Sequence, residues 1–319
     1  SLKATLHDIV IPDKGIILIW KYINATLNLI KKEKIDAVII SSPPFSTQII
    51  GPIIKVIFRN RIKFIADYRD GWNVSKINSK ELLIPRSANF LMEKFILHYS
   101  DYITCASYGM KQEMQTLFPY CMHKTIVIMN GFDEKMLFTN NDSANNTNSR
   151  ERLLTIGYFG SISDGAHSYR NPTLLLQEIE KNNNISISFY GNISMQKKWL
   201  NELGSRLVIN QQLSHNEAVR LMSQFDVLLV IHTEKFGGAE VLTGKLFDYL
   251  ISLKPILVIG PPNMEAGLFV VKNGFGYFAD CTNSQEIGDT LQKIYSDWVN
   301  NRLPHYNLED IRGYSRQYQ

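Results

Sequence analysis

The feature that most constrains this chain is a regular alternation of amphipathic helices with short, mostly apolar strands. Apolar residues recur at helical spacing between positions 20 and 34, and the run that follows from Asp36 reads as a buried strand that ends in a turn at Pro43-Pro44. The same pattern returns many times along the 319 residues. Strands that alternate with helices form parallel sheets with right-handed crossovers, so we expect an α/β fold.

The pattern assigns each element to a position in the chain. In the first half it predicts helices at 20–34, 49–58, 87–99 and 108–117, and strands from 36, at 63–66, at 102–106 and at 125–129. In the second half it predicts strands at 153–159, 185–190, 207–209, 227–231 and 256–259, and helices at 172–181, 214–224 and 244–252. Both halves are therefore expected to be Rossmann-like.

A polar stretch separates the two halves. Residues 139–149 read TNNDSANNTNS, in which a single alanine is the only apolar residue. We predict a first Rossmann-like domain at 1–140, a linker at 141–152 and a second Rossmann-like domain at 153–319. Ligands bind beyond the carboxyl ends of parallel strands, so the two domains should face each other across a cleft lined by the loops that follow strands.

Composition narrows the class of protein. Hydrophobic residues make up 45% of the chain and the net charge is only +4, which favours a globular enzyme and does not indicate nucleic acid as a partner. The three cysteines are far apart and suit a reducing cytoplasm. We see neither a membrane-spanning apolar run nor a signal-peptide core, and because the chain starts at Ser1 we expect the natural N-terminus to be missing.

The segment from Glu240 to Asp248 is the most informative part of the second half. Thr243 is suited to cap a helix that starts at Gly244, so that backbone N–H groups and the positive end of the helix dipole meet an anion such as a diphosphate. Glu240 and Asp248 would supply acceptors for hydroxyl groups on either side. The alternative is an ordinary capped helix, with Asp248 on its solvated face and Glu240 in a surface loop.

The wider context favours the functional interpretation. The segment resembles the E-x7-E signature of the group 1, family 4-like retaining glycosyltransferases of the GT-B fold, with Asp248 in place of the second Glu. Other stretches are also similar to that family: SSPPFS at 41–46, ADYRDGW at 66–72, NGFD at 130–133 and GYFGS at 157–161. The resemblance spans roughly positions 12–277 and implies a nucleoside diphosphate sugar as donor.

The resemblance implies a role for each matching residue on the donor side. Glu240 would contact hydroxyls of the donor sugar, Asp248 would bind the ribose, and the amides near Thr243 and Gly244 would hold the diphosphate. Asp248 is one methylene shorter than glutamate, so its ribose contact needs a closer helix or a water.

Two further pairs of residues complete the predicted donor site. Gly160 and Ser161 would allow the backbone to approach the phosphates, where a larger side chain would collide. Arg170 would neutralise the departing diphosphate, and Lys245 is the second candidate for that role. The catalytic residues expected from the resemblance are thus Glu240 and Arg170.

On the acceptor side the candidates follow a predicted strand. They are Asp67, Arg69 and Asp70; either Arg69 and Asp70 form a structural ion pair, or they order the acceptor. The Pro43-Pro44 pair has a simpler interpretation as a rigid turn.

Other site classes find little support in the sequence. The seven histidines lack the H-x-x-x-H spacing, so we expect no metal site, and we interpret His167 and His232 as loop residues. The P-loop and the G-x-S-x-G motif are also missing from the sequence. Residues 53–63 mix apolar and basic side chains at helical spacing, as a helix on an anionic membrane surface would, but the pattern favours an ordinary helix with a buried face and solvated Lys and Arg.

The expected activity is metal-independent, cofactor-free transfer of a sugar, with retention, to a hydroxyl of a lipid-linked cell-surface glycan. The expected location is the cytoplasm of a bacterium, peripheral to the inner face of the membrane. The alternatives are a nucleotide-sugar 2-epimerase and a non-catalytic nucleotide-sugar-binding subunit. The usual first strand and Gly-rich loop have no counterpart before Ile9, and the closing helix stops early, so we expect both ends of the family fold to be shortened.

Overall fold

The computed structural model describes residues 11–73, 83–139, 152–165, 168–233 and 242–319. The chain divides into two compact units, Ser1–Met129 and Asn130–Gln319, each with its own hydrophobic core. Residues 130–139, which we assigned to the first domain, thus belong to the second unit. The linker predicted at 141–152 falls outside the described residues except for Arg152, so its position stays a prediction.

The first unit contains a four-stranded parallel sheet in the order β1-β2-β3-β4. Its strands are β1 (Ala37–Ser42), β2 (Lys63–Tyr68), β3 (Tyr102–Cys105) and β4 (Thr125–Val127), and its helices are α1 (Ile19–Lys32), α2 (Ile50–Ile57), α3 (Leu83–Tyr99) and α4 (Tyr108–Leu117). Ser41 pairs with Asp67 across β1 and β2, and Asp67 pairs with Thr104 across β2 and β3. The register therefore places three polar side chains in one row near the carboxyl ends of the strands.

Alternation of side chains explains why this sheet has a buried face. Ile40, Ala66 and Ile103 are register partners on three neighbouring strands, and all three are buried. Ile54 of α2 is also fully buried in the same core. Crossovers between successive strands that run in one spatial order bring their helices to one face, which is the face that these apolar residues occupy.

The second unit contains a six-stranded parallel sheet in the order β12-β11-β10-β5-β7-β9. Its strands are β5 (Leu154–Phe159), β7 (Ile185–Tyr190), β9 (Leu207–Asn210), β10 (Val227–Ile231), β11 (Ile256–Gly260) and β12 (Gly276–Asp280). The chain builds outward from β5 through β7 to β9, and then returns to the other side of β5 to add β10, β11 and β12. The order reverses between β5 and β10, and such a reversal creates a crevice beyond the carboxyl ends of the two strands.

Helices of the second unit connect these strands and flank them. They are α5 (Thr173–Lys181), α6 (Lys197–Leu203), α7 (His215–Met222), α8 (Gly244–Ile251), α9 (Glu265–Lys272), α10 (Ser284–Val299) and α11 (Leu308–Ile311). A small parallel pair, β6 (Ile162–Ser163) with β8 (Ile193–Ser194), extends the loops after β5 and β7. Near the end of the chain, Ser315 forms a parallel bridge with Phe132, so the last residues pack against the first turn of the same unit.

The predicted fold class, GT-B with two Rossmann-like parallel-sheet domains, is confirmed; the cleft between them stays a prediction. The predicted elements agree with the observed ones to within a few residues, and β7, β10 and α4 match at both ends. The elements after β11, together with α6, β6 and β8, were not predicted. Within the part of the chain that the structure describes, no helix is both long and apolar enough to cross a bilayer.

Candidate functional site

Two glycines shape the crevice where the strand order of the second unit reverses. Gly160 directly follows β5 with φ +136°, and its N–H donates a 2.7 Å hydrogen bond to the carbonyl of Tyr190. Gly191 directly follows β7 with φ +145°, and a Cβ added there would overlap the backbone of Gly160. A Cβ on Gly160 would overlap the Nζ of Lys245. The two turns therefore pack backbone against backbone and leave room only for glycine.

Helix α8 begins beside this crevice. Thr243 adopts an extended conformation at the N-cap, and its hydroxyl accepts a hydrogen bond of 3.3 Å from the N–H of Lys245, as the sequence predicted. Gly244 is exposed, and no atom of the described residues lies within 4 Å of a Cβ built on it. The amide end of the helix is thus accessible, which suits an anion.

Lys245 is half-buried, and its ammonium group lies over the ring of Tyr158. Its Nζ is 4.7 Å from the ring centroid and 3.2 Å from the phenol oxygen, which in turn donates a hydrogen bond of 2.7 Å to the carbonyl of Ser161. Burial first, and repulsion by Arg170 second, lower the pKa of Lys245 against the opposing effect of Asp248, and the resulting pKa is about 7. The site therefore holds an ammonium group that is only part charged near neutral pH and that an anion would stabilise.

Arg170 lies in the loop after β6, and its charge affects Lys245. Its guanidinium carbon lies 4.7 Å from the ring centroid of Tyr169, and its backbone N–H donates to the hydroxyl of Ser168. The positive charge of Arg170 lowers the pKa values of both Lys245 and His232 in addition to the larger effect of burial. Arg170 and Lys245, which lie 75 positions apart in sequence, are therefore near enough for the charge of one to affect the other.

Asp248 lies one turn into α8 and is mostly buried, with 26% of its side chain exposed. Burial raises its pKa, while the nearby charges of His215, Arg316 and Lys245 oppose that rise. His215 Nε2 lies 3.9 Å from the carboxylate. The alternative that places Asp248 on a solvated helix face does not hold, because the carboxylate sits in a partly enclosed, cationic environment.

His232 is a loop residue, as predicted, directly after β10 at the crevice, and it is buried. Its Nδ1 lies 3.2 Å from the carbonyl of Thr233, and its ring centroid lies 5.6 Å from that of Tyr169. Burial lowers its pKa, which favours the neutral imidazole. The predicted site residue Glu240 and the histidine His167 lie outside the described residues, so their roles stay predictions.

On the first unit, Asp67 is a buried cross-strand clamp. Its Oδ1 accepts a hydrogen bond of 2.6 Å from Thr104, and its Oδ2 accepts hydrogen bonds from Ser41 at 2.7 Å and from Arg69 at 3.0 Å. Arg69 also donates to the carbonyl of Ile128 at 3.1 Å. The ion pair of Arg69 is thus with Asp67 rather than with Asp70, whose side chain is exposed.

The segment at 53–63 behaves as an ordinary helix and turn. Lys55 is buried and pairs with Asp101 at 2.7 Å, while it also donates to the carbonyl of Ile62 at 3.3 Å. Val56 and Ile57 on the same helix are exposed. At least one of the basic residues that suggested contact with a membrane is therefore engaged inside the unit.

The sequence analysis did not identify Tyr158 in the second unit or a cavity in the first unit. Tyr158, which supports Lys245, is separated from it by 87 positions, and no motif spacing could have connected the two. A cavity in the first unit, at Pro43-Pro44, is formed by residues from three separate segments, and the sequence alone suggested only a turn there.

Comparisons of the whole chain with solved structures give fold relatives at low sequence identity. HepE of Anabaena in complex with UDP matches with a TM-score of 0.66 and 12% identity over 92% of this chain and 78% of that one. Sucrose-phosphate synthase of Thermosynechococcus elongatus matches with a TM-score of 0.67 and 14% identity over 97% and 77%, and a glycosyltransferase from Rickettsia africae with 0.65 and 13% over 97% and 80%. These likenesses establish the fold. Comparisons with protein-family models and with curated proteins gave no match.

Proposed function

We propose that this protein transfers a sugar from a nucleoside diphosphate sugar to a hydroxyl of a glycan acceptor. The observation that carries the proposal is the convergence of Lys245, Arg170 and the open amide end of α8 at the point where the strand order reverses. Two cations and a helix N-terminus around one crevice match a diphosphate in charge and geometry. The fold relative HepE was solved with UDP and with UDP-glucose, which makes uridine nucleotides the first donors to test.

The finer features of the proposal come from the resemblance to group 1, family 4-like enzymes. We infer a hexose-type donor, retention at the anomeric carbon, and a lipid-linked acceptor of a bacterial cell-surface polysaccharide. We place the protein in the cytoplasm, peripheral to the inner face of the membrane. Asp248 would bind the ribose and Glu240 the hydroxyls of the donor sugar.

In the proposed reaction the site must stabilise the negative charge of the leaving diphosphate. As the glycosidic bond to the diphosphate breaks, negative charge grows on the leaving oxygen, and Arg170 with Lys245 would neutralise it. An arriving diphosphate would raise the pKa of Lys245 from about 7, so the ammonium forms when the donor binds. In this proposal the side chains of Arg170 and Lys245, rather than a metal ion, stabilise the negative charge of the diphosphate. We therefore expect addition of EDTA to leave the transfer rate unchanged.

The first experiment is calorimetric titration with UDP, ADP, GDP and dTDP. We expect saturable binding of one nucleotide, and we expect Lys245→Met and Asp248→Ala each to weaken it about tenfold or more, since charge-assisted contacts are worth about 1.5–3 kcal/mol. Glu202→Ala, which removes an exposed carboxylate on α6, is the matched control and should bind as wild type does. Absence of binding by all four nucleotides would contradict the proposal.

Turnover separates transfer from the two alternatives. With the preferred nucleotide sugar and a panel of glycan acceptors, a glycosyltransferase releases the nucleoside diphosphate and elongates the acceptor. An epimerase would convert the sugar at C2 without an acceptor, and a non-catalytic subunit would bind the nucleotide sugar and leave it unchanged. Product analysis by mass spectrometry and NMR distinguishes the three, and the anomeric coupling constant of the product reports retention or inversion.

A further inference from the structure

A cavity of about 490 Å³ opens in the first unit, beyond the carboxyl ends of β1 and β2. The volume falls in the range of sites that enclose small molecules, and the position is the sheet edge at which parallel α/β folds bind their ligands. The lining has two parts, an apolar wall and a polar wall. The apolar wall comprises Pro43, Pro44, Phe45 and Trp72, and the polar wall comprises Asp13, Lys14 and Gly15 with Pro12.

The apolar wall contains an aromatic ring that is held in place from behind. Phe45 and Trp72 are stacked, with their ring centroids 5.0 Å apart and their planes 14° from parallel. Trp72 is only 2% exposed, whereas Phe45 is half-buried, so Phe45 is the accessible ring. The electron-rich face of a fixed aromatic ring attracts the C–H groups on the apolar face of a pyranose.

The polar wall contains a carboxylate that is fixed by three donors. The Oδ1 of Asp13 accepts from the hydroxyl of Ser46 at 2.7 Å and from the N–H of Gly15 at 2.8 Å, and its Oδ2 accepts from the N–H of Ser46 at 3.1 Å. A Cβ on Gly15 would crowd Ser46 Oγ, so only glycine lets the two segments approach this closely. A carboxylate has about four acceptor positions, which leaves Oδ2 able to accept one more hydrogen bond, as from a sugar hydroxyl.

We propose that this cavity binds one pyranose ring of the acceptor glycan, stacked on Phe45 with a hydroxyl donated to Asp13. The assignment of the ring to an acceptor rests on the proposed function, whereas sugar binding itself does not. A prenyl chain in the cavity would displace water from the charged groups of Asp13 and Lys14 and offer no hydrogen-bonding group in return, which is costly. A nucleotide phosphate would meet the negative charge of Asp13, and the cationic crevice of the second unit suits it better.

The test measures binding without catalysis. Intrinsic tryptophan fluorescence is followed while the protein is titrated with methyl pyranosides of glucose, galactose, mannose and N-acetylglucosamine, and in a separate arm with farnesyl phosphate. We expect a saturable change with at least one glycoside, which Trp72→Phe removes because Trp72 lies in the cavity wall. Phe45→Ala and Asp13→Asn should each weaken binding about tenfold or more, equivalent to about 1.4 kcal/mol.

Phe95→Ala is the matched control, because Phe95 forms a ring pair with Tyr99 at 4.9 Å on α3, outside the cavity lining. It should leave the glycoside affinity unchanged. Binding that survives both Phe45→Ala and Asp13→Asn, saturation by farnesyl phosphate alone, or no saturation by any glycoside would each overturn the inference. Titration of the same protein with UDP separates the two proposals: lost nucleotide binding counts against the proposed function, and lost glycoside binding against the cavity.

Discussion

Lys245 shows how a single residue couples the fold to the chemistry of the site. Its ammonium group is held on the ring of Tyr158 and out of water, which lowers its pKa to about 7. Burial of a cation weakens folding unless an anion is present to balance it. Desolvation of Lys245 therefore lowers the free energy of unfolding of the ligand-free protein, and a bound diphosphate would offset that loss.

The first prediction concerns the pH dependence of stability. Between about pH 7 and the ordinary pKa of lysine, the unfolded chain carries a proton on Lys245 that the folded chain lacks, so this residue makes the free energy of unfolding rise with pH. The contribution is about 1.4 kcal/mol per pH unit at most. Urea titrations at pH 7, 8 and 9 should show that rise in wild type and a smaller one in Lys245→Met.

The exposed Lys198 provides the control for that comparison, because its Nζ lies 4.4 Å from the ring centroid of Trp199 and so repeats the cation–ring contact at the surface. Lys198→Met should follow the wild-type pH dependence. Equal slopes for wild type and Lys245→Met would show that the Lys245 ammonium is not desolvated in the folded protein.

The second prediction concerns Gly160. An alanine there combines a positive φ of +136° with overlap of Lys245, so Gly160→Ala should cost about 1–3 kcal/mol of stability and weaken nucleotide binding. Gly274 also has a positive φ, +70°, but a Cβ there would meet nothing within 4 Å. Gly274→Ala should therefore cost stability by backbone conformation alone and leave calorimetric nucleotide affinity intact; equal losses of affinity would argue against a crevice at Gly160.

At the scale of elements, the first unit depends on a buried carboxylate that joins three strands. Asp67 on β2 accepts from Ser41 on β1 and Thr104 on β3, and it pairs with Arg69. Since Ser41 and Thr104 lie on the strands that flank β2, the clamp fixes the register of β1, β2 and β3 at the carboxyl edge of the sheet. That edge also carries the cavity at Phe45.

The third prediction follows from this clamp. Asp67→Ala leaves Arg69 without its carboxylate partner and the buried hydroxyl of Thr104 without its acceptor, and it should destabilise the protein by about 1–3 kcal/mol in chemical denaturation. Asp70→Ala removes the exposed carboxylate three positions later and should change stability by less than about 0.5 kcal/mol. If Asp70 orders the acceptor, its substitution will raise the acceptor KM at unchanged stability, and a strongly destabilised Asp70→Ala would contradict this division of roles.

The same elements show what a sequence can and cannot predict. The strands β7 and β10 were predicted to the residue, β10 because VLLVI is a continuous apolar run and β7 because ISISFY begins with alternating apolar and polar residues. Strand β12 begins at a glycine and ends at an aspartate, which weakens that signal. Helix α10 was missed although Ile287, Leu291 and Ile294 have helical spacing and are buried, so the signal was present there.

The contacts of the site differ in how far the sequence reveals them. Thr243 and its cap depend on neighbours in sequence, and they lie where expected. The pairing of Arg69 with Asp67 was not foreseen, because sequence proximity to Asp70 does not reveal that β2 turns the Asp67 side chain toward Thr104. Contacts such as Lys245 with Tyr158 form through the order of strands in the sheet, and that order is decided by packing of the whole unit.

On the scale of the whole molecule, the two units have separate cores and separate candidate sites. The core around Ile54 and Phe64 belongs to the first unit, and the core around Ile187 and Leu229 belongs to the second. The proposed nucleotide site is formed by residues of the second unit. Ligand binding stabilises the conformation that binds, so the effect of a nucleotide should concentrate in that unit.

The fourth prediction tests this by hydrogen exchange. At a UDP concentration of about 100 times Kd the linkage free energy is about 2.7 kcal/mol, and we expect exchange to slow in peptides from the second unit, including β5 and α8, far more than in β1 and β2. Glu202→Ala should give the same pattern, and Lys245→Met should lose it. Equal protection of both units would place the nucleotide elsewhere or show that the units unfold as one.

The bridge between Phe132 and Ser315 has a consequence for the topology of the second unit. Arg316 donates its backbone N–H to Phe132 at 2.9 Å and its side chain to Gly131 at 2.8 Å, so the path of the chain through this unit closes on itself without a covalent bond. A closed path can be opened at another point without loss of its internal contacts. Circular permutation of this unit, with Ser315–Gln319 joined to Asn130 and a new break at the exposed Asn183, should therefore yield a protein that still folds around β5.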